Sequence, residues 1–325
     1  LHLSIRRQRQ MCIRDRLCPE ALLLNFTNPE SRVCLAVSKL SRIQSVGLCH
    51  GAFSTWDTVA DVLGRPRDEV VMTIGGLNHF HWVLALRDAK TGRDLMPAFR
   101  RRIRAYRRLE PLTRAMYDMF GLLPFPSAIH TGEYVQWAWE MVDPLWRHGQ
   151  ERRRVHAGRV RPRDFGPQEP EGEQAFHYME WLAQQKRELE AAVRKGPPLS
   201  EEIARPSGEL AVPIIEDVVF DLKRRELSVN VPNAGAIPNL PGDAVVEIPA
   251  TCDALGVHGE PVGPLPEPVA ALCRTQVSIQ KLIVEAYRQR SKTALLQALV
   301  LDPVVHSVPT VSYTHLRAHE TVLDL

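Results

Sequence analysis

Apolar residues follow two different patterns along the chain, and the change comes near residue 90. Before it, short continuous apolar runs alternate with amphipathic stretches. Residues 21–25, 43–48 and 69–74 are runs of strand length bounded by polar or turn residues, the pattern of strands buried on both faces. Between the first two, Pro29 suits the opening turn of a helix reaching about Leu40, with Asn28 as its N-cap. Residues 49–54 read as a loop, and residues 55–63 as a helix stopped by Gly64 and Pro66. Gly75-Gly76 is expected to break the third strand, which resumes in extended form over 80–86.

After residue 90 the helical period dominates. Residues 97–108 and 110–120 predict two helices, 122–129 a proline-bearing loop, and 130–146 an aromatic-rich helix. Residues 150–174 are polar and rich in arginine, proline and glycine, as in a surface excursion or lid, and a helix is expected over 173–193. Residues 227–232 and 244–249 read as strands bracketing a turn-rich segment. Residues 268–290 form a long amphipathic helix, and 292–301 a further one stopped by Asp302-Pro303. The predicted class is α/β: the C-terminal strands of a Rossmann-like domain, then a mixed α+β domain like the C-terminal domain of lactate dehydrogenase. The Gly-x-Gly-x-x-Gly turn that opens a dinucleotide-binding domain does not occur in the sequence.

Composition narrows this only slightly. A hydrophobic share of 44%, a charged share of 24% and a net charge of +3 describe an ordinary globular chain without a nucleic-acid footprint. Its apolar runs fall short of the roughly 20 residues needed to span a bilayer. Six scattered cysteines read as reduced thiols, which makes the cytoplasm the expected location. Residues 1–16 and 311–325 have no periodicity and resemble translated sequencing-adapter sequence, so both are expected to be non-native ends. The expected domains are then 17–53, a remnant of a dinucleotide-binding domain, and 54–310.

The chemistry concentrates in three motifs. Asn25-Phe-Thr-Asn-Pro29 closes the first strand, Gly47-Leu-Cys-His50 the second, and Gly75-Gly-Leu-Asn-His79 the third. Ligands of open α/β sheets bind at such strand ends. A thiolate at Cys49 and an imidazole at His79 suit a borderline divalent ion. The plainer reading makes Cys49 a small buried hydrophobe and His79 a satisfied polar group. His81 competes, being two residues on, but His79 follows the glycine pair and is the preferred ligand. The arginine runs at 100–108 and 152–154 read as solvated faces, with Arg154 kept as a candidate contact for an acidic substrate.

The order of these motifs resembles the NAD- and manganese-dependent family 4 glycoside hydrolases. The likeness extends from about Leu17 to Thr310. His130-Thr-Gly-Glu133-Tyr134 looks like the family's His-x-x-Glu-Tyr region, and Val229 to Pro241 is similar to its C-terminal-domain hallmark. The resemblance implies hydrolysis of O-glycosidic bonds by oxidation, elimination, addition and reduction, with NAD and Mn2+ or another divalent metal as cofactors. It implies Cys49 and His79 as metal ligands, Asn28 as a substrate contact, His50 as leaving-group acid and Tyr134 as candidate base. A histidine after the cysteine points to an unphosphorylated α-galactoside, α-glucoside or uronide. A homo-oligomer, dimer or tetramer, is expected, with a small carbohydrate as substrate and no nucleic acid or membrane partner. Without the glycine-rich turn, the chain alone is expected to be inactive.

Two other readings compete. Thr27-Asn28-Pro29 and Gly256-Val-His-Gly-Glu260 also fit a lactate/malate-type 2-hydroxyacid dehydrogenase, which would leave Cys49-His50 without a task. A non-enzymatic scaffold, oligomerising through 268–290, is the other.

Overall fold

A computed structural model describes residues 18, 20–140 and 208–305, together with helical residues 186, 187, 190, 191 and 194. By internal contacts the chain forms one unit from Leu1–Val142 and Leu210–Leu325 and a second from Asp143–Glu209. The expected excursion at 150–174, and all but four positions of the helix expected over 173–193, fall outside the described residues.

The first unit is built on one mixed sheet. Strand β1 (Leu22–Asn25) leads through helix α1 (Glu30–Leu40) to the parallel strand β2 (Gln44–Gly47). Cys34, Leu35 and Val37 bury one face of α1. Helix α2 (Gly51–Leu63) then leads to β3 (Val70–Leu77), which pairs antiparallel with β4 (Phe80–Asp88). Helices α3 (Met96–Ile103), α4 (Pro111–Phe120) and the single turn α5 (Ala128–Thr131) follow. After the second unit come α6 (Ala211–Phe220), β5 (Arg224–Pro232), β6 (Val245–Asp253), β7 (Gly256–Gly259), α7 (Glu267–Gln289) and α8 (Lys292–Leu301). The strand order is β1-β2-β5-β6-β3-β4, with β7 pairing β6. The sheet is parallel at one edge and antiparallel elsewhere, so the α/β reading and most element positions hold.

Several expectations need correction. Asn28 does not cap α1: the helix starts at Glu30, Pro29 occupies the N-cap, and no side chain caps it. Pro29 itself is extended, at φ −74° and ψ 110°, which moves the helix start one place on. Asn25 shapes this turn instead, its Oδ1 accepting from the Thr27 amide and its Nδ2 donating to the Thr27 carbonyl. The loop expected over 49–54 is shorter, because α2 begins at Gly51. Gly75-Gly76 does not break β3, which continues to Leu77 and turns into β4 through Asn78-His79. Helix α3 stops at Ile103 rather than near Arg108. There Arg114 Nη2 takes the Ile103 carbonyl at 2.8 Å, along with that of Tyr106, satisfying the helix end from outside. The helix expected over 130–146 is, as far as residue 140, a chain of short turns: α5, then 3-10 turns at Gly132–Tyr134 and Gln136–Glu140.

A hydrophobic cluster between α2, α3 and the β3–β4 hairpin includes Val59, Leu63, Met72, Ile74, Val83, Phe99 and Ile103. The turn-rich segment after β5 is organised by buried Asn233. Its Nδ2 donates to the carbonyls of Ile237, Leu240 and Pro241, and its Oδ1 accepts from the Ile237 amide.

Strand register puts one row of residues straight across the sheet. Asn25 pairs with Gly47, Gly47 with Asn230, Asn230 with Glu247, Glu247 with Gly76, and Gly76 with His81. Polar side chains and glycines share this row, and the candidate site is built along it.

Candidate active site

Glu247 and His81 occupy the row between β6 and β4, each with its side chain fully buried. His81 Nδ1 lies 2.9 Å from Glu247 Oε2, and its Nε2 lies 2.8 Å from Thr55 Oγ1. Thr55 donates its own proton to the Gly51 carbonyl, so the ring nitrogen is the donor in that pair. Glu247 Oε1 accepts from Ser228 at 2.8 Å. Burial alone would raise the Glu247 pKa, but His81 and the Ser228 hydrogen bond outweigh it and hold the carboxyl below its ordinary value. Both ring nitrogens of His81 are thus engaged.

A second buried carboxylate comes from the first turn of α1. Glu30 Oε1 accepts from Asn230 Nδ2 at 2.7 Å and Oε2 from Asn78 Nδ2 at 3.3 Å. A side chain at Gly47 would overlap that carboxylate, which is why β2 carries a glycine there.

The Asn78-His79 turn is where the candidate residues meet. Asn78 is buried, its side chain lies near enough to the Cys49 thiol to lower its pKa slightly, and its carbonyl accepts the Tyr134 hydroxyl at 2.9 Å. His79 sits at φ 59°, a left-handed conformation uncommon for a residue other than glycine. Its ring lies 4.3 Å from that of His130 and stacks on Phe125 at 5.8 Å. Burial first, and the neighbouring His130 next, pull the His79 pKa to about 4. The Cys49 thiol is pushed up to about 12 by burial and then by the negative charge of Glu247. It also accepts from the Gly51 amide at 3.4 Å, at the start of α2.

This donor set can be weighed against a divalent cation. Neutral imidazole is the form that binds a metal, and His79 is held in it. A cation would offset the two influences that keep the Cys49 proton on. Among the described residues no group of three or more His, Cys, Asp or Glu side chains is arranged to hold an ion. Cys49 and His79 are two donors of the type a borderline divalent ion accepts, and the fit goes no further than these two side chains.

Tyr134 packs its ring on Phe80 at 4.7 Å. Burial, and then the charge of Glu133, raise its phenol above the ordinary value. His50 is exposed on the residue before α2, its ring 6.0 Å from that of Phe53. Asn28 is exposed just beyond β1. Arg154 lies outside the described residues. His258, the histidine of the competing loop, is on β7 and half exposed, paired with Asp253 at 2.9 Å.

The structure thus gathers Cys49, His79 and Tyr134 around Asn78. Sequence reasoning assigned no role to Glu30, Asn78, Asn230 or Glu247. Glu247 left one trace, an acid interrupting the apolar run Val245-Val-Glu-Ile-Pro249. Glu30 left none, because an acid in a helix's first turn is what the helix dipole favours anyway.

Comparison with known proteins gives consistent matches. The family 4 glycosyl hydrolase C-terminal domain matches residues 74–305 and the family 4 glycosyl hydrolase model residues 11–65. An alpha-glucosidase of Erwinia rhapontici is 26% identical over 329 residues, covering 89% of this chain and 64% of its own length. An alpha-galactosidase of Rhizobium meliloti (strain 1021) is 29% identical, covering 92% of this chain and 58% of its own length. The chain therefore spans about three fifths of these relatives. Its fold is shared with a 6-phospho-alpha-glucosidase from gut microorganisms, solved in complex with NAD and Mn2+ (TM-score 0.72, 21% identity, 98% of this chain and 71% of that one). It is shared too with the 6-phospho-beta glucosidase of Thermotoga maritima, solved with manganese, NAD+ and glucose-6-phosphate (TM-score 0.70, 20% identity, 99% and 71%).

Proposed function

The chain belongs to the family 4 glycosyl hydrolases, and from that premise we propose that it serves the NAD- and metal-dependent hydrolysis of an unphosphorylated α-galactoside, α-glucoside or uronide. The observation that carries this reading is the meeting of Cys49 and Tyr134 on Asn78, the residue next to His79. Relatives with free and with phosphorylated sugars in their names both occur, so the choice between them rests on His50 following Cys49. The dehydrogenase alternative is not supported, since its histidine loop is an exposed hairpin on β7.

When bound, NAD supplies a hydride acceptor for a sugar hydroxyl carbon, and a divalent ion supplies charge stabilisation at the carbonyl oxygen that results. Cys49 and His79 would hold that ion. Asn28, at the end of β1, contacts the sugar beside it. Tyr134 takes the proton made acidic by the neighbouring carbonyl. Its hydroxyl donates to the Asn78 carbonyl, and burial holds its proton tightly. His50, exposed on the residue before α2, would give a proton to the leaving oxygen as a general acid. Arg154 is kept as a contact for an acidic substituent. The proposal keeps residues 17–53 as the dinucleotide-domain part and 54–310 as the second domain, in a cytoplasmic homo-oligomer. No helix among the described residues is long and apolar enough to cross a membrane.

Cobalt(II) tests the core of this reading, because a cobalt–thiolate bond absorbs intensely in the near ultraviolet. Titrating the chain with cobalt is expected to produce that band, and Cys49→Ser and His79→Ala to abolish or weaken it. A chain with no band, or a band that survives Cys49→Ser, would refute the assignment.

A further inference from the structure

We propose that Glu30 is a positioning residue for the Cys49 and His79 side chains, acting through Asn78. The inference rests on the metal reading above and deepens it.

The carboxylate of Glu30 is buried in the sheet, where an unpaired charge would be strongly unfavourable. It is held by two amide donors from separate parts of the chain, Asn230 of β5 and Asn78 of the β3–β4 turn. Charge-assisted bonds of this kind are about twice as strong as neutral ones, and they fix the direction of the donor. Gly47 leaves the space that the carboxylate occupies. Asn230 is itself fixed by register, between Gly47 and Glu247 in the cross-sheet row. Glu30 thus transmits the position of the rigid sheet to Asn78.

Asn78 passes it on in two directions. Its side chain lies beside the Cys49 thiol, and its backbone leads directly into His79. His79 holds a left-handed conformation that is strained for a residue with a side chain, so the turn needs neighbours that over-determine it. Tyr134 supplies one such restraint at the Asn78 carbonyl, and Glu30 supplies another at its amide. Groups placed behind metal ligands in this way typically change metal affinity about 10- to 100-fold when they are removed.

The test is cobalt affinity of the full chain, read from the thiolate band, for wild type, Glu30→Gln, Asn78→Ala and the double variant. Glu30→Gln keeps size and shape but replaces one accepting oxygen with a donor. It is expected to weaken cobalt binding about tenfold or more and to shift the band, with circular dichroism at 25 °C unchanged. Asn78→Ala is expected to cause a similar loss, and the double variant little more than either single one, as for two residues on one route. Wild-type affinity in Glu30→Gln, or losses that simply add in the double variant, would overturn the inference while leaving the metal site standing. Should Glu30→Gln fail to fold, Asn78→Ala with full affinity and an unshifted band would overturn it equally. A wild-type chain without the band would sink the metal reading itself, and this inference with it.

Discussion

At Gly76 the backbone takes φ 149°, and an added Cβ would lie 2.5 Å from the Phe80 carbonyl oxygen and 2.7 Å from the His81 Cα. Both are backbone atoms of the neighbouring strand and cannot swing aside. Gly76→Ala is therefore expected to destabilise the chain by more than about 2 kcal/mol, seen as a lowered urea midpoint. Gly92→Ala is the control: its φ is positive too, but nothing lies within 4 Å, and it should cost only about 1 kcal/mol. A loss at Gly76 no greater than at Gly92 would show that the close strand approach is not limiting. The same residue shows where reading by sequence stopped short. Paired glycines look like a strand breaker, and nothing local says that they let two strands approach. Cys49, His79 and Tyr134 could be singled out because they sit in ordered motifs. Glu30 and Asn230 could not, since their meaning lies in a contact across 200 residues of chain.

Elements with a full apolar stripe were legible to within a residue or two: α7 was expected from 268 to 290 and runs Glu267–Gln289, and α8 agrees with its expected span. Legibility failed where tertiary contacts override local pattern. The aromatic spacing after residue 130 imitates a helix, yet Tyr134 stacks on Phe80 and bonds Asn78 instead of lining a helical face. Contacts between elements also set a pH response. Asp243, after the Asn233 turn, bridges Lys39 near the end of α1 at 2.8 Å and Lys281 of α7 at 2.9 Å. Hydrogen bonds from these two lysines lower its pKa to about 2. Because the folded value lies below the unfolded one, the stabilisation is present above about pH 4 and is lost as pH falls through 2. All three groups are well exposed, so the effect should stay within about 1 kcal/mol. Urea midpoints of wild type and Asp243→Asn should differ at pH 6 and converge near pH 2. A gap independent of pH would assign the loss to packing.

For the molecule as a whole, Cys49 and His79, the proposed ligands, are in the sequence while the glycine-rich phosphate turn is not. Purified chain incubated with NAD, manganese and nitrophenyl α-glycosides is accordingly expected to show no turnover, and clear product release would overturn that expectation. Binding and turnover are thus separable here, which is why cobalt absorption tests the site better than an assay does. The row running from Asn25 to His81 has one more consequence. Replacing buried, hydrogen-bonded polar groups by well-packed apolar ones of similar volume is often neutral or favourable to stability. Selection for heat resistance alone would therefore drift the polar members of that row, though not its glycines, towards valine and leucine, and its winners would be tougher proteins without the buried hydrogen bonds that join Asn230 to Glu30 and His81 to Glu247.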